Sequence, residues 1–161
     1  MSDLLASLAE FYRDKLTMLL RHEAGARLIG QYDFNNAYQY IINREETHLA
    51  WVASAITDQG GAVAEEADPG RRVPGKGAAA ARQVLEEDLK DAQAFVDRWR
   101  PRVDGVGNAR HARMLSLILG EVLEQKRFFE QALAGRTDLL GRRAQQPGPA
   151  VGEVLPSRWI E

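Results

Sequence analysis

Glu45 and His48, within Arg44-Glu45-Glu46-Thr47-His48, have the types and the spacing to hold a metal ion. A carboxylate and an imidazole three residues apart fall one turn apart on the same face of a helix. Hard carboxylate oxygens with an imidazole suit iron or manganese, and facing helices are how a helical bundle assembles such a site. Three further acids, Glu23, Asp88 and Glu121, stand where an apolar side chain is expected, and Glu124 follows Glu121 one turn on. Each also has a plainer origin. Glu23 can reach solvent or a nearby arginine where its stripe frays. A histidine in an apolar seam is usually a hydrogen-bonded core residue, and a layer of Glu–Arg and Glu–His pairs without metal accounts for the rest.

Composition narrows the function classes. A chain of 161 residues fits one domain and can bury a real core, and its apolar share of 45% is ordinary for a soluble protein. With 21 basic against 23 acidic residues, neither nucleic acid nor an anionic membrane surface is an expected partner. The chain has no cysteine, which excludes disulfides, thiolate catalysis and iron–sulfur ligation, and fits a reducing compartment. No apolar run approaches the roughly 20 residues that cross a bilayer. The start, Met1-Ser2-Asp3-Leu4-Leu5, lacks the basic and small-residue features of a signal peptide. A cytoplasmic protein is expected.

Four helices must position the acids. The first spans residues 3–31, with Leu5, Leu8, Tyr12, Leu16, Leu19, Glu23 and Ala26 on one stripe and Lys15 mostly off it. Gly30 through Asn36 forms a turn, in which Asp33 or Asn35 can cap the second helix. That helix runs to about Asp58 and carries Tyr38, Ile41, Glu45, His48, Val52 and Ile56 inward; Glu46 lies off this face and is solvated. Residues 60–79 are aperiodic and rich in Gly, Pro and Ala, a loop much longer than the usual 4 to 6 residues. In a four-helix bundle such a connection carries the chain back along the bundle, so that helices two and three run parallel. A flexible linker is the other reading. The third helix covers residues 80–100, where Pro101 discourages continuation, and places Asp88 inward between Glu87 and Asp91. Asn108 can cap a fourth helix to about Ala134, whose seam includes Met114, Leu115, Ile118, Glu121, Val122, Gln125, Phe128 and Phe129. Residues 135–161 read as a tail, with Trp159 and Ile160 able to dock on the bundle or on a second subunit.

The inward acids pair by level. Glu23 and Glu45 are equally far along the chain from Phe34, inside the first turn, and Asp88 and Glu121 flank the Asp104–Gly105 turn symmetrically. In an antiparallel hairpin, residues equidistant from the turn lie side by side. Several buried carboxylates at one depth need protonation, arginine partners or divalent cations, and cations explain the set most economically.

On these residues the chain resembles the ferritin-like, rubrerythrin-like superfamily of four-helix bundles with one long crossover and a carboxylate-bridged di-metal centre. The family supplies Glu from helices one and three and Glu-x-x-His from helices two and four. Glu23 matches the first Glu and Glu45–His48 the first Glu-x-x-His. Asp88 matches the helix-three position with Asp for Glu, and Glu121–Glu124 the last motif with Glu for His. Glu87 or Asp91 in place of Asp88, and Gln125 beside the helix-four ligands, are alternative phasings. The resemblance covers residues 3–134. It implies a dinuclear iron or manganese centre doing redox or iron-handling chemistry of the ferroxidase or peroxidase type. Glu45 and Glu121 would bridge the metals, with Glu23, Asp88, His48 and Glu124 terminal. Tyr12 and Tyr38 read as core aromatics on the same faces, and His22 and His111 as ordinary surface or capping residues. The competing expectation is a non-catalytic helical scaffold or interaction protein with a degenerate metal site. Spare aromatics on a bundle of this size lead us to expect a homodimer in either case.

Overall fold

Residues 8, 11, 15, 18, 22 and 25 of the first helix recur at alternating three- and four-residue steps, and all six are buried. That spacing is one face of an α-helix packed against other helices. A computed structural model of the chain describes residues 3–73, 75–136 and 138–139. It contains four helices: α1 (Asp3–Ala26), α2 (Tyr32–Asp58), α3 (Ala78–Asp104) and α4 (Ala109–Leu133). The architecture is an all-α four-helix bundle, as the periodicity predicts. No helix among the described residues is long and apolar enough to cross a membrane.

The ends of the helices differ from expectation in three places. α1 stops at Ala26 rather than near residue 31, and the side-chain amide of Asn35 donates to the Ala26 carbonyl. Gln31, not Asp33 or Asn35, caps α2 by accepting from the Phe34 backbone N–H at 2.7 Å. α3 runs through Pro101 to Asp104. Proline loses one backbone bond there, but Trp99 and Val103 are buried on either side of it, and the helix needs only one more turn. Asn108 caps α4 as expected, accepting from the His111 N–H.

Contacts fix the topology. Phe11 meets Phe95 and Trp99, while His22 lies beside Asp88, so α1 and α3 run antiparallel. Tyr38 meets Phe129 and His48 meets Glu121, so α2 and α4 do too. Short turns make α1–α2 and α3–α4 antiparallel hairpins, and α2 is therefore parallel to α3. The connection over residues 59–77 returns along the bundle, the crossover its length predicts. It is tied down at two places: Arg21 donates to the Pro69 carbonyl at 2.8 Å, and Arg71 enters the interior. The apolar core fills one end with the Phe11–Phe95–Trp99 edge-to-face cluster, rings 5.0 and 5.3 Å apart. Each such pair adds about 0.5–1.5 kcal/mol beyond burial. Packing continues past the fourth helix to Leu139, which is buried in the core. Trp159 and Ile160, expected to dock, lie outside the described residues.

Candidate functional site

Eight polar or charged residues are buried among the described residues, and they concentrate midway along the bundle. α1 presents Lys15 and His22, two turns apart on its inward face. α2 presents Tyr38, Glu45 and His48, α3 presents Asp88, and the crossover inserts Arg71. α4 contributes the buried Gln125 and, at its edge, the half-buried Glu121.

Glu45 is the centre of one group. Its Oε2 accepts from Lys15 Nζ at 3.1 Å and its Oε1 bonds to His22 Nδ1, with all three side chains sealed from solvent. Asp88 is the centre of the second. Its Oδ1 and Oδ2 both accept from the Arg71 guanidinium, and Oδ2 also accepts the Tyr38 hydroxyl. His22 joins the two, its Nε2 lying 3.9 Å from Asp88 Oδ1. A third group sits at the α2–α4 seam, where Arg44 binds both oxygens of Glu121 at 2.7 and 3.0 Å. His48 Nε2 is 2.6 Å from Glu121 Oε2, and Arg44 also stacks over Trp51 at 5.7 Å.

Electrostatics follow from these partners. Burial alone would push the Glu45 carboxyl up, but His22 and Lys15 beside it hold it well below the ordinary carboxylate range. Burial disfavours a charged His22, yet Glu45 and Asp88 outweigh it and raise its pKa. His48 goes the other way: burial, then the nearby Lys15 charge, pulls it down to about 4 despite Glu121. It is therefore neutral at pH 7, with the proton on Nε2 facing Glu121, and its buried Nδ1 has no partner among the described residues. The Tyr38 hydroxyl is raised well above its ordinary value by burial and by the Asp88 charge, so it donates to Asp88 and does not ionise.

The six candidate ligands are thus distributed over several places. Glu45 and Asp88 share the sealed cluster through His22. His48 and Glu121 pair with each other at the neighbouring seam. Glu23 is half-exposed and makes no hydrogen bond or ion pair among the described residues, while Glu124 is exposed and pairs with Arg127 at 3.4 Å. Equal distance from Phe34 gives the level of the first hairpin, but the residue of α1 that meets Glu45 is His22, one position from Glu23. His22 is a core residue and not a surface one. On α4 the inward amide Gln125 follows Glu121 by one turn, and both its side-chain polar atoms lack partners among the described residues.

As arranged, these side chains do not fit a carboxylate-bridged pair of metals. Every carboxylate oxygen of Glu45 and Asp88 already accepts from an ammonium, imidazole, guanidinium or phenol of this chain. The arrangement instead neutralises two buried acids with fixed cations, locking α1, α2, α3 and the crossover to one another. Lys15, His22 and Arg71 are the residues that sequence reasoning missed. A cation two turns from a histidine on α1, facing an interior acid on α2, was the available signal; nothing comparable pointed to Arg71. Comparison with protein-family models and with curated proteins finds no match.

Proposed function

We propose that the chain is a non-catalytic helical binding or scaffold protein whose interior carboxylate layer is structural, its own cations standing where a ferritin-like bundle would hold metals. One observation carries this reading: the Lys15 ammonium and the Arg71 guanidinium sit against Glu45 and Asp88, on side chains 0–2% exposed. Burying an ion pair costs several kcal/mol per ion in lost hydration, so attraction between the partners largely offsets that cost and adds little net stability. What such a layer contributes instead is a fixed register between helices. Sealed carboxylates whose oxygens all accept from this chain's own donors also offer no substrate a path in. A cytoplasmic location and a homodimer belong to the same reading, supported by the cysteine-free composition and by Tyr40 and Leu117, large apolar side chains 41% and 55% exposed.

A second reading keeps a dinuclear iron or manganese centre on Glu45, His48, Asp88 and Glu121, with redox chemistry supplied by the metals. The partnerless Nδ1 of His48 favours it, and it requires Lys15 and Arg71 to withdraw. Elemental analysis of protein purified without chelator separates the two, together with thermal unfolding with and without added ferrous or manganous ions. The structural reading expects no retained metal and an unchanged Tm. Near-stoichiometric iron or manganese that disappears in Glu45→Ala would overturn it.

A further inference from the structure

At the end of the bundle away from the Phe11–Trp99 cluster, the α1–α2 turn, α2, the start of α3 and the end of α4 surround a cavity of about 600 Å³. This is the size range of small-molecule sites. Leu28, Phe34, Leu85 and Leu133 supply apolar wall, and Ala81 lies on the α3 side. The charged lining is of one sign: Arg27, Lys76 and Arg82, with no acid. Arg82 already pairs with Glu86 at 2.9 Å. Arg27 and Lys76 are exposed and make no ion pair among the described residues. Beside Lys76, Gly77 begins α3 without a side-chain cap, and Gly77 and Ala78 both border the cavity. The first backbone N–H groups of a helix have no intrahelical acceptor and suit an anion.

We propose that this cavity binds a single-chain, long-chain carboxylate. The hydrocarbon lies against Leu28, Phe34, Leu85 and Leu133, and the carboxylate sits at the mouth between Lys76, Arg27 and the start of α3. Apolar wall with a rim of one charge matches an amphiphile of the opposite charge. A neutral apolar ligand would leave the cations unused, and a small anion would leave the wall wet. The assignment does not depend on how the interior acids are neutralised, so a metal in the polar layer would leave it standing.

Titration calorimetry of the full chain with dodecanoate, kept below its micelle concentration, tests it. Saturable one-to-one binding is expected, weakened tenfold or more by the surface double variant Arg27→Glu/Lys76→Glu. Ala81→Trp, which puts an indole into the cavity, is expected to weaken binding tenfold or more, and circular dichroism checks that both variants remain helical. Dodecanol is expected to bind at least tenfold more weakly than dodecanoate. The proposal is overturned if dodecanoate does not saturate, or if the charge reversals leave its affinity unchanged. It is equally overturned if dodecanol binds as well, or if binding appears only after residues 140–161 are removed, since the chain itself would then be the occupant.

Discussion

The guanidinium of Arg71 occupies the space that a side chain on Gly25 would need. A Cβ at Gly25 would collide with it and would lie 2.8 Å from Val84 Cγ1 on α3. Gly25 is therefore the gap in α1 through which the crossover arginine reaches Asp88. Propensity alone favours Ala over Gly inside a helix by about 1 kcal/mol. Gly25→Ala should nonetheless destabilise the protein by about 1–3 kcal/mol, the usual cost of overpacking a filled interior. Urea unfolding reads this directly. A gain in stability of the size that propensity predicts would show that Arg71 is not held there.

Removing Arg71 tests the same contact from the other side. Arg71→Ala leaves Asp88 buried with only Tyr38 and the more distant His22, and such a broken pair costs about 3–5 kcal/mol. The crossover also loses an anchor, so proteolysis within residues 59–77 should accelerate at temperatures where the bundle is still folded. In Arg71→Met/Asp88→Leu, where no charge is stranded, most of the lost stability should return. A double variant no better than Arg71→Ala would mean that the arginine acts through packing alone.

The four helices, the long crossover and the depth of the polar layer are legible in the sequence because each rests on something local: apolar periodicity, turn residues, and distance from a turn. The phase of α1 is legible only in part. Of its apolar stripe, Leu8, Leu16, Leu19 and Ala26 are buried, but Leu5, Tyr12 and Glu23 are half-buried, and the buried face turns instead to Phe11, Lys15, Met18 and His22. Counting apolar residues penalises a face that carries a lysine and a histidine, even where both are compensated by an acid on the next helix. The spacing of α2 puts Glu45 in the interior, where it lies, but the identity of its partners is a tertiary fact. Arg71 is the extreme case. It lies in an aperiodic stretch that reads as solvated, and only the path of the crossover brings it to Asp88.

The two interior histidines should give stability opposite dependences on pH. His22 has a raised pKa in the folded protein. Its contribution is complete below the ordinary imidazole value and is lost as pH rises through the folded value. His48 is lowered from 6.5 to about 4, so its contribution is present above 6.5 and is lost as pH falls from 6.5 towards 4. Glu45, also lowered, adds a loss at more acidic pH, below the ordinary 4.5. Urea unfolding across pH 4.5–9 should show His22→Gln removing the decline on the alkaline side. His48→Gln, whose amide can still donate to Glu121, should flatten the slope on the acidic side. Identical profiles for the two variants would contradict one raised and one lowered imidazole.

Lys15 and Glu45 together decide whether the interior acid is held by the chain or by something else. Both side chains are fully buried and 3.1 Å apart. Among the described residues, Lys15→Met leaves Glu45 facing only His22, and Glu45→Leu leaves the ammonium without a hydrogen-bond acceptor. Each single change should cost about 3–5 kcal/mol. Lys15→Met/Glu45→Leu strands neither charge, and His22 can be neutral without Glu45. The double variant should then be more stable than either single one, so the coupling energy should be at least about 3 kcal/mol, at or above the upper end for residues in direct contact. A metal on Glu45 predicts a different square. Lys15 would then oppose the cation electrostatically, so Lys15→Met should be neutral or stabilising and the coupling close to zero. Chemical denaturation of the four proteins, each stripped of metal and then reloaded with manganous ion, distinguishes the two by the sign of the Lys15→Met effect.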